Sequence, residues 1–107
     1  MDRPVPEIDV EEASRRLAEG ENLIDVREPH EHDEAHIAGA RLLPMSEFLE
    51  RYQQELPAGR ELMIQCRSGS RSAEVTRVLL ERGYRAVNVA GGILAWESAG
   101  LPVERDE

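Results

Sequence analysis

Apolar residues along this chain alternate between two patterns, one typical of buried strands and one typical of amphipathic helices. Short apolar runs predict strands at residues 23–26, 40–43, 62–65 and 86–89. Apolar residues at helical spacing predict helices that begin at about residues 10, 47, 73 and 93. This alternation predicts an α/β fold with a mainly parallel sheet that helices cover on both faces.

Capping residues indicate where several of these helices begin and end. Asp9, with Glu12 three residues later, predicts the start of the first helix, which should end near Gly20. Ser46 is the predicted N-cap of the second helix. The apolar stripe predicted for that second helix comprises Met45, Phe48, Leu49, Tyr52 and Leu56. The charged segment 28–36 is predicted to be a loop or a short helical turn.

Length, composition and charge limit what the protein can be. With 107 residues, 40% of them hydrophobic, the chain suits one domain, structured over about residues 5–103 with short free termini. No stretch has the apolar length of a membrane span, and the N-terminus lacks signal-peptide features, which predicts a cytoplasmic protein. The formal net charge of −9 and the absence of lysine argue against a nucleic-acid partner.

The single cysteine, Cys66, stands between the predicted strand 62–65 and the helix that follows it. The free N–H groups of a helix start and the nearby guanidinium groups of Arg67 and Arg71 favour a thiolate, so a lowered pKa is expected for this thiol. A thiolate of this kind is a nucleophile, and such a loop is suited to bind a small anion. Because the sequence contains no second cysteine, another molecule must react with any covalent intermediate on Cys66 to restore the free thiol.

Two other interpretations of Cys66 compete with a reactive thiolate. A free cysteine is commonly a buried structural residue, although the polar residues that follow this one argue against that role. A cysteine-dependent phosphatase places an arginine at the sixth position after the cysteine and usually a histidine before it. Here Ser72 holds the sixth position, Arg71 comes one residue too early, and Gln65 replaces the histidine. The shorter loop favours a smaller centre, such as a second sulfur atom.

Four stretches of the chain together resemble the single-domain rhodaneses, which are thiosulfate sulfurtransferase-like modules. They are residues 25–29 (DVREP), 36–40 (HIAGA), 66–72 (CRSGSRS), and 91–96 (GGILAW) with 100–103 (GLPV). The resemblance implies a five-stranded parallel sheet flanked by helices and a cysteine that alternates between thiolate and persulfide. Ala38 departs from the family, which usually has proline there, and this should loosen the turn without affecting the chemistry.

The resemblance also implies roles for individual residues. Cys66 would be the nucleophile that accepts sulfur, and Arg67 or Arg71 would attract an anionic donor. Asp25 and Arg27 would support the loop, although their sequence context alone favours a turn cap and a surface ion pair. The cradle that binds the substrate around the sulfur would consist of Arg67, Ser68, Gly69, Ser70, Arg71 and Ser72.

The histidines and the tryptophan are expected to be structural. His30, His32 and His36 lie among acidic residues at spacings that match no established zinc pattern, so we predict a solvated loop and no metal. No cofactor is expected. Trp96 is predicted to pack in the core under the last helix, with its indole N–H bonded to the backbone.

The sequence therefore predicts a sulfurtransferase that acts through a Cys66 persulfide. The expected donor is a small anion, thiosulfate or a persulfide, and the expected acceptor is cyanide or a thiol, which a protein can carry. The alternative from another class is a non-catalytic persulfide carrier or interaction module, which would accept sulfur but turn over poorly with small donors. A cysteine phosphatase is the third alternative, and the loop count disfavours it.

Overall fold

Five parallel strands form the centre of the molecule in the computed structural model, which describes residues 4–105. The strands are β1 (Glu7–Ile8), β2 (Asn22–Asp25), β3 (Arg41–Leu42), β4 (Leu62–Gln65) and β5 (Ala86–Val89). They lie in the order β1-β5-β4-β2-β3, and each neighbouring pair is parallel. The predicted α/β architecture with a parallel sheet is confirmed.

Helices cover both faces of this sheet. They are α1 (Val10–Ala18), α2 (Pro29–Glu34), α3 (Phe48–Glu55), α4 (Ser70–Glu81) and α5 (Gly92–Ser98), and a short 3-10 helix, Met45–Glu47, precedes α3. Residues of α3 and α4 form one core cluster with Leu62 and Ile64, whereas residues of α1 and α5 form a second cluster with Met63. Because side chains alternate along a strand, the fully buried β4 supplies both clusters.

The first strand, β1, is not predicted by the apolar pattern of the sequence. It contains two residues, too few to show a periodicity, and it exists through its pairing with β5, where Glu7 lies opposite Asn88. The backbone amide of Asn88 donates to the carbonyl of Pro6 at 2.8 Å. The resemblance alone had implied a fifth strand, and that expectation is confirmed.

The predicted cap of the second helix is wrong. Ser46 lies inside the 3-10 turn, and its hydroxyl donates to the Glu28 carboxylate at 2.6 Å and caps no helix. The apolar stripe is also narrower than predicted, since Phe48 is buried whereas Leu49 is 67% and Met45 is 38% exposed. Leu49 lies about 100° around the helix from Phe48, and the 3-10 turn takes Met45 out of the α-helical phase.

The charged segment 28–36 contains a helix of six residues, α2, with Pro29 at its first position.

Near the other end of the chain, Glu104 forms an isolated antiparallel bridge with His36, so ordered pairing extends one residue beyond the predicted boundary at 103. The predicted free termini fall partly on residues 1–3 and 106–107, which lie outside the described residues. No helix within residues 4–105 has the length and apolar character needed to cross a membrane.

Parallel strands bring the functional candidates to one edge of the sheet. Asp25 at the end of β2 lies in register with Gln65 at the end of β4, directly before Cys66. On the other side of β4, Ile64 lies opposite Asn88 of β5. The segments that follow β2, β4 and β5 therefore meet beyond the carboxyl ends of these strands, where α/β sheets bind ligands.

Candidate active site

The Cys66 sulfur lies at the bottom of a ring of hydrogen-bond donors. The residue is 1% exposed, which makes it more buried than its polar neighbours in the sequence suggest. Its Sγ accepts hydrogen bonds from the Gly69 amide at 3.1 Å, the Ser72 amide at 3.4 Å and the Ser72 hydroxyl at 3.3 Å. A structural thiol in an apolar core has no need of three donors, so the arrangement suits a sulfur that carries negative charge.

Gly69 gives the loop its curvature. Its φ of 105° lies in the left-handed region, and it forms the N-cap of α4. The turn directs its amide at the sulfur, while its carbonyl accepts a hydrogen bond from Asn88 Nδ2 at 3.2 Å. A Cβ at this position would lie 3.2 Å from the Gly91 amide nitrogen, so the loop and the segment after β5 fit closely together.

Opposing influences set the acidity of Cys66. Burial raises the pKa of the thiol, whereas hydrogen bonds from the Ser72 hydroxyl, the Ser72 amide and the Gly69 amide lower it, and the net pKa is below that of an ordinary cysteine. Ser72 is the third residue of α4, so the predicted contribution of a helix start is present. Neutral donors in contact with the sulfur make the largest contributions to the lowering, ahead of the guanidinium groups that were also expected to favour the thiolate.

Replacing Ser72 with alanine should therefore move the alkylation profile of Cys66 to higher pH. The variant loses the hydroxyl donor in contact with Sγ, so alkylation by iodoacetamide at neutral pH should slow about tenfold. Ser70→Ala is the matched control for this profile, because the Ser70 hydroxyl contacts Ser68 Oγ. Superimposable profiles for the wild type and the Ser72 variant would contradict the assigned role of this hydroxyl.

The start of α5 supports the loop from below. The amide of Ile93 donates to the Cys66 carbonyl at 2.9 Å, and the amide of Leu94 donates to the Arg67 carbonyl at 3.1 Å. Gly92 makes this approach possible, since a Cβ there would lie 2.3 Å from the Cys66 carbonyl oxygen. Gly91 and Gly92 directly precede the helix predicted from about residue 93, and two adjacent glycines before a helix are a signal of a close backbone approach.

Asp25 and Arg27 form a buried ion pair. Asp25 is fully buried, and its carboxylate accepts hydrogen bonds from the Arg27 amide, Nε and one terminal nitrogen at 2.9–3.2 Å. The guanidinium also donates to the carbonyls of Ala35 at 2.7 Å and Glu31 at 3.3 Å. The turn cap predicted for Asp25 is thus present, whereas the predicted surface ion pair is wrong because the pair is buried. The pair holds the α2 segment beside the cysteine loop, and its support of that loop stays a prediction.

Glu31 connects α2 to the cysteine loop and was not among the residues predicted for the site. Its carboxylate accepts two hydrogen bonds from the terminal nitrogens of Arg71, at 2.7 and 2.8 Å. This contact lowers the pKa of Glu31 to about 2. The ion pair therefore contributes fully above the ordinary pKa of about 4.5 and is lost as the pH falls towards 2. Arg67, by contrast, is exposed and forms no ion pair with the other residues between 4 and 105.

The histidines interact with one another and with the C-terminal segment. His32 and His36 stack with their ring centroids 4.1 Å apart, and His36 Nε2 lies 3.2 Å from a Glu104 carboxylate oxygen. Within the described part of the chain, no three His, Cys, Asp or Glu side chains converge as metal ligands would.

Trp96 is buried, and its indole N–H donates to the Pro102 carbonyl at 2.8 Å, which confirms the predicted backbone contact.

Comparisons with known proteins agree on one family. A family model described as a rhodanese-like domain matches residues 9–99. A protein of Allochromatium vinosum named sulfurtransferase is 42% identical over 106 residues, covering 96% of this chain and 98% of its own. Thiosulfate sulfurtransferase 18 of Arabidopsis thaliana is 31% identical over 117 residues, covering 96% of this chain and 86% of its own.

The solved structures show the same fold. The crystal structure of a rhodanese-related protein from Thermoplasma volcanium matches with a TM-score of 0.87 and 30% sequence identity. The match covers 94% of this chain and 99% of that protein. The sheet, its helices and the resemblance seen in the sequence thus agree, and the names of the relatives support sulfur transfer in general.

Proposed function

We propose, from the premise that this chain belongs to the family of rhodanese-like domains, that it moves sulfane sulfur through a persulfide on Cys66. The observation that carries this proposal is the buried thiol with three hydrogen-bond donors around its sulfur. Donors in this arrangement stabilise a thiolate before transfer and a negatively charged terminal sulfur after it. The exposed guanidinium group of Arg67, which follows Cys66 directly in the chain, makes a small anionic donor the suitable substrate class.

In the first half-reaction, the Cys66 thiolate attacks the outer sulfur of thiosulfate. A sulfur–sulfur bond forms to Cys66 while the bond between the two donor sulfurs breaks, and its electron pair leaves with sulfite. The thiolate and the thiosulfate dianion become a persulfide anion and a sulfite dianion, so atoms and charge balance. No oxidant or reductant is required, and a persulfide donor would react in the same way with a thiolate as leaving group.

In the second half-reaction, cyanide or a thiolate attacks the outer sulfur of the Cys66 persulfide. The new bond forms to the acceptor, and the electron pair of the broken bond returns to Cys66 as the thiolate. The products are thiocyanate or an acceptor persulfide. Because one product leaves before the acceptor reacts, this cycle predicts ping-pong kinetics.

Intact mass measurement tests the first half directly. After incubation with thiosulfate, the wild type should gain the mass of one sulfur atom, and the Cys66→Ala variant should gain nothing. Cyanide should then restore the original mass and release one thiocyanate for each protein. Turnover with small donors separates an enzyme from a carrier module that is loaded only once. An unmodified wild type, or equal addition to both proteins, would refute the proposal.

A further inference from the structure

The two guanidinium groups of the cysteine loop lie in different electrostatic surroundings. Both terminal nitrogens of Arg71 donate to the Glu31 carboxylate, and the Arg71 side chain is only 35% exposed. Arg67 is exposed, and no carboxylate within residues 4–105 pairs with it. The loop therefore contains two positive charges in its sequence but offers a single uncompensated one to an incoming anion.

Glu31 is held in place independently of Arg71. One of its carboxylate oxygens also accepts a hydrogen bond from the Glu28 amide at 3.0 Å, and its carbonyl accepts from Arg27 at 3.3 Å. Arg27 in turn is fixed by the fully buried Asp25. Glu31 is thus a preorganised counterion, whereas a chance surface pairing would have a mobile partner on each side.

We propose that Glu31 determines the donor preference of the site by neutralising Arg71, so that the site favours donors of low charge over the thiosulfate dianion. The inference rests on the proposed function, since it names the class of donor for the same thiol. The favoured class is a sulfane-sulfur donor that carries one negative charge or none, such as a thiosulfonate or an organic persulfide.

The charges around the thiol explain why the site should favour donors of low charge. When Cys66 is a thiolate, its charge and that of Glu31 cancel the charges of Arg67 and Arg71. The whole chain contributes a field from a formal net charge of −9, which opposes a dianion more than a monoanion. Removing the Glu31 charge leaves the site with one excess positive charge, which should strengthen the binding of a dianion more than that of a monoanion.

Two alkylating reagents of similar size measure this local field without any sulfur transfer. Iodoacetate is an anion and iodoacetamide is neutral, and both react with the same Cys66 thiolate, so the ratio of their rates cancels the degree of ionisation. In Glu31→Gln the ratio of the iodoacetate rate to the iodoacetamide rate should rise about fivefold over wild type. Added salt should reduce the difference.

Matched variants separate a local charge from other causes. Glu34→Gln removes an equal charge from an exposed position on the same helix and should leave the ratio unchanged. Glu31→Asp keeps the charge and should retain the wild-type ratio, while the double variant Glu31→Gln/Arg71→Gln should restore it. An unchanged ratio in Glu31→Gln, or an equal rise in Glu34→Gln, would overturn the proposal. Equal changes in both rates would show a purely structural role and overturn it as well.

A pair of sulfur donors extends the test to the reaction itself. Methanethiosulfonate carries one negative charge and thiosulfate carries two, and both present an outer sulfur with a good leaving group. Glu31→Gln should lower the KM for thiosulfate about fivefold relative to that for methanethiosulfonate. An unaltered KM ratio would contradict the proposal. If the wild type accepts sulfur from neither donor, the proposed function fails, while the alkylation ratio still decides the role of Glu31.

Discussion

Replacing Gly92 with alanine is expected to disrupt the loop around Cys66 and to slow the alkylation of this thiol at neutral pH. The new Cβ would lie 2.3 Å from the Cys66 carbonyl oxygen and 2.6 Å from that of Arg67, closer than the 3.0 Å below which real Cβ contacts essentially do not occur. Both obstacles are backbone atoms, so no side-chain rotation can relieve the overlap. Either the start of α5 or the cysteine loop must move.

The movement breaks contacts that keep the site in shape. The hydrogen bonds from the Ile93 amide to Cys66 and from the Leu94 amide to Arg67 cannot both survive it. At least one of the two carbonyl groups would lose its partner, and the free energy of unfolding should fall by about 3 kcal/mol or more. Displacement of the loop should also take the Gly69 amide out of reach of Sγ and so raise the pKa of Cys66.

Urea unfolding and the pH profile of Cys66 alkylation measure the two consequences. Gly83→Ala is the matched control for backbone strain, because Gly83 has a φ of 85° and a Cβ there meets nothing within 4 Å. It should cost about 1 kcal/mol. Gly59→Ala also enters open space, and its cost should be close to zero. If Gly92→Ala is no more costly than Gly83→Ala, the close approach of α5 to the loop does not matter to stability.

Removal of the Arg27 guanidinium is expected to cause the other large loss. In Arg27→Met the Asp25 carboxylate, which is fully buried, would lose its ionic partner. Breaking a buried pair from one side costs about 3–5 kcal/mol, because an uncompensated charge remains inside the protein. The Ala35 carbonyl would lose its donor too, so α2 and Glu31 should be less firmly placed.

A double-mutant cycle distinguishes this cause from lost packing. Asp25→Asn combined with Arg27→Met leaves no buried charge, so its loss of unfolding free energy should be smaller than the sum of the two single losses. Arg105→Ala removes an exposed partner of Glu97 and should change stability by less than about 1 kcal/mol. Strict additivity of Asp25→Asn and Arg27→Met would argue against the pair as the source of the loss.

The location of Cys66 follows from local sequence. Leu62, Met63 and Ile64 form an apolar run long enough for a buried strand, and Val75 and Leu79 repeat at helical spacing after the loop. Both patterns act over a few residues, so they predict a thiol at the junction of a strand and a helix. The predicted strands and helices agree with the structure for the same reason.

The partners of the thiol and of its loop arise from the order of the strands. The ion pair between Glu31 and Arg71 spans 40 positions in the sequence, and the contact of Gly92 with Cys66 joins the segments after β5 and β4. Neither separation leaves a periodic trace in the chain. Glu31 therefore looked like one more residue of an acidic segment before the structure placed it against the loop.

What the sequence determined by itself was the succession of elements, the place of Cys66 among them and, through the resemblance, the family. The tertiary structure decided how buried the thiol is, that Ser72 and Gly69 lower its pKa, and that Arg71 is neutralised while Arg67 is not. The physical reason is the distance along the chain over which each interaction acts. Propensity and periodicity act between neighbours in the chain, whereas burial, ion pairing and close backbone approach depend on which strands the sheet places side by side.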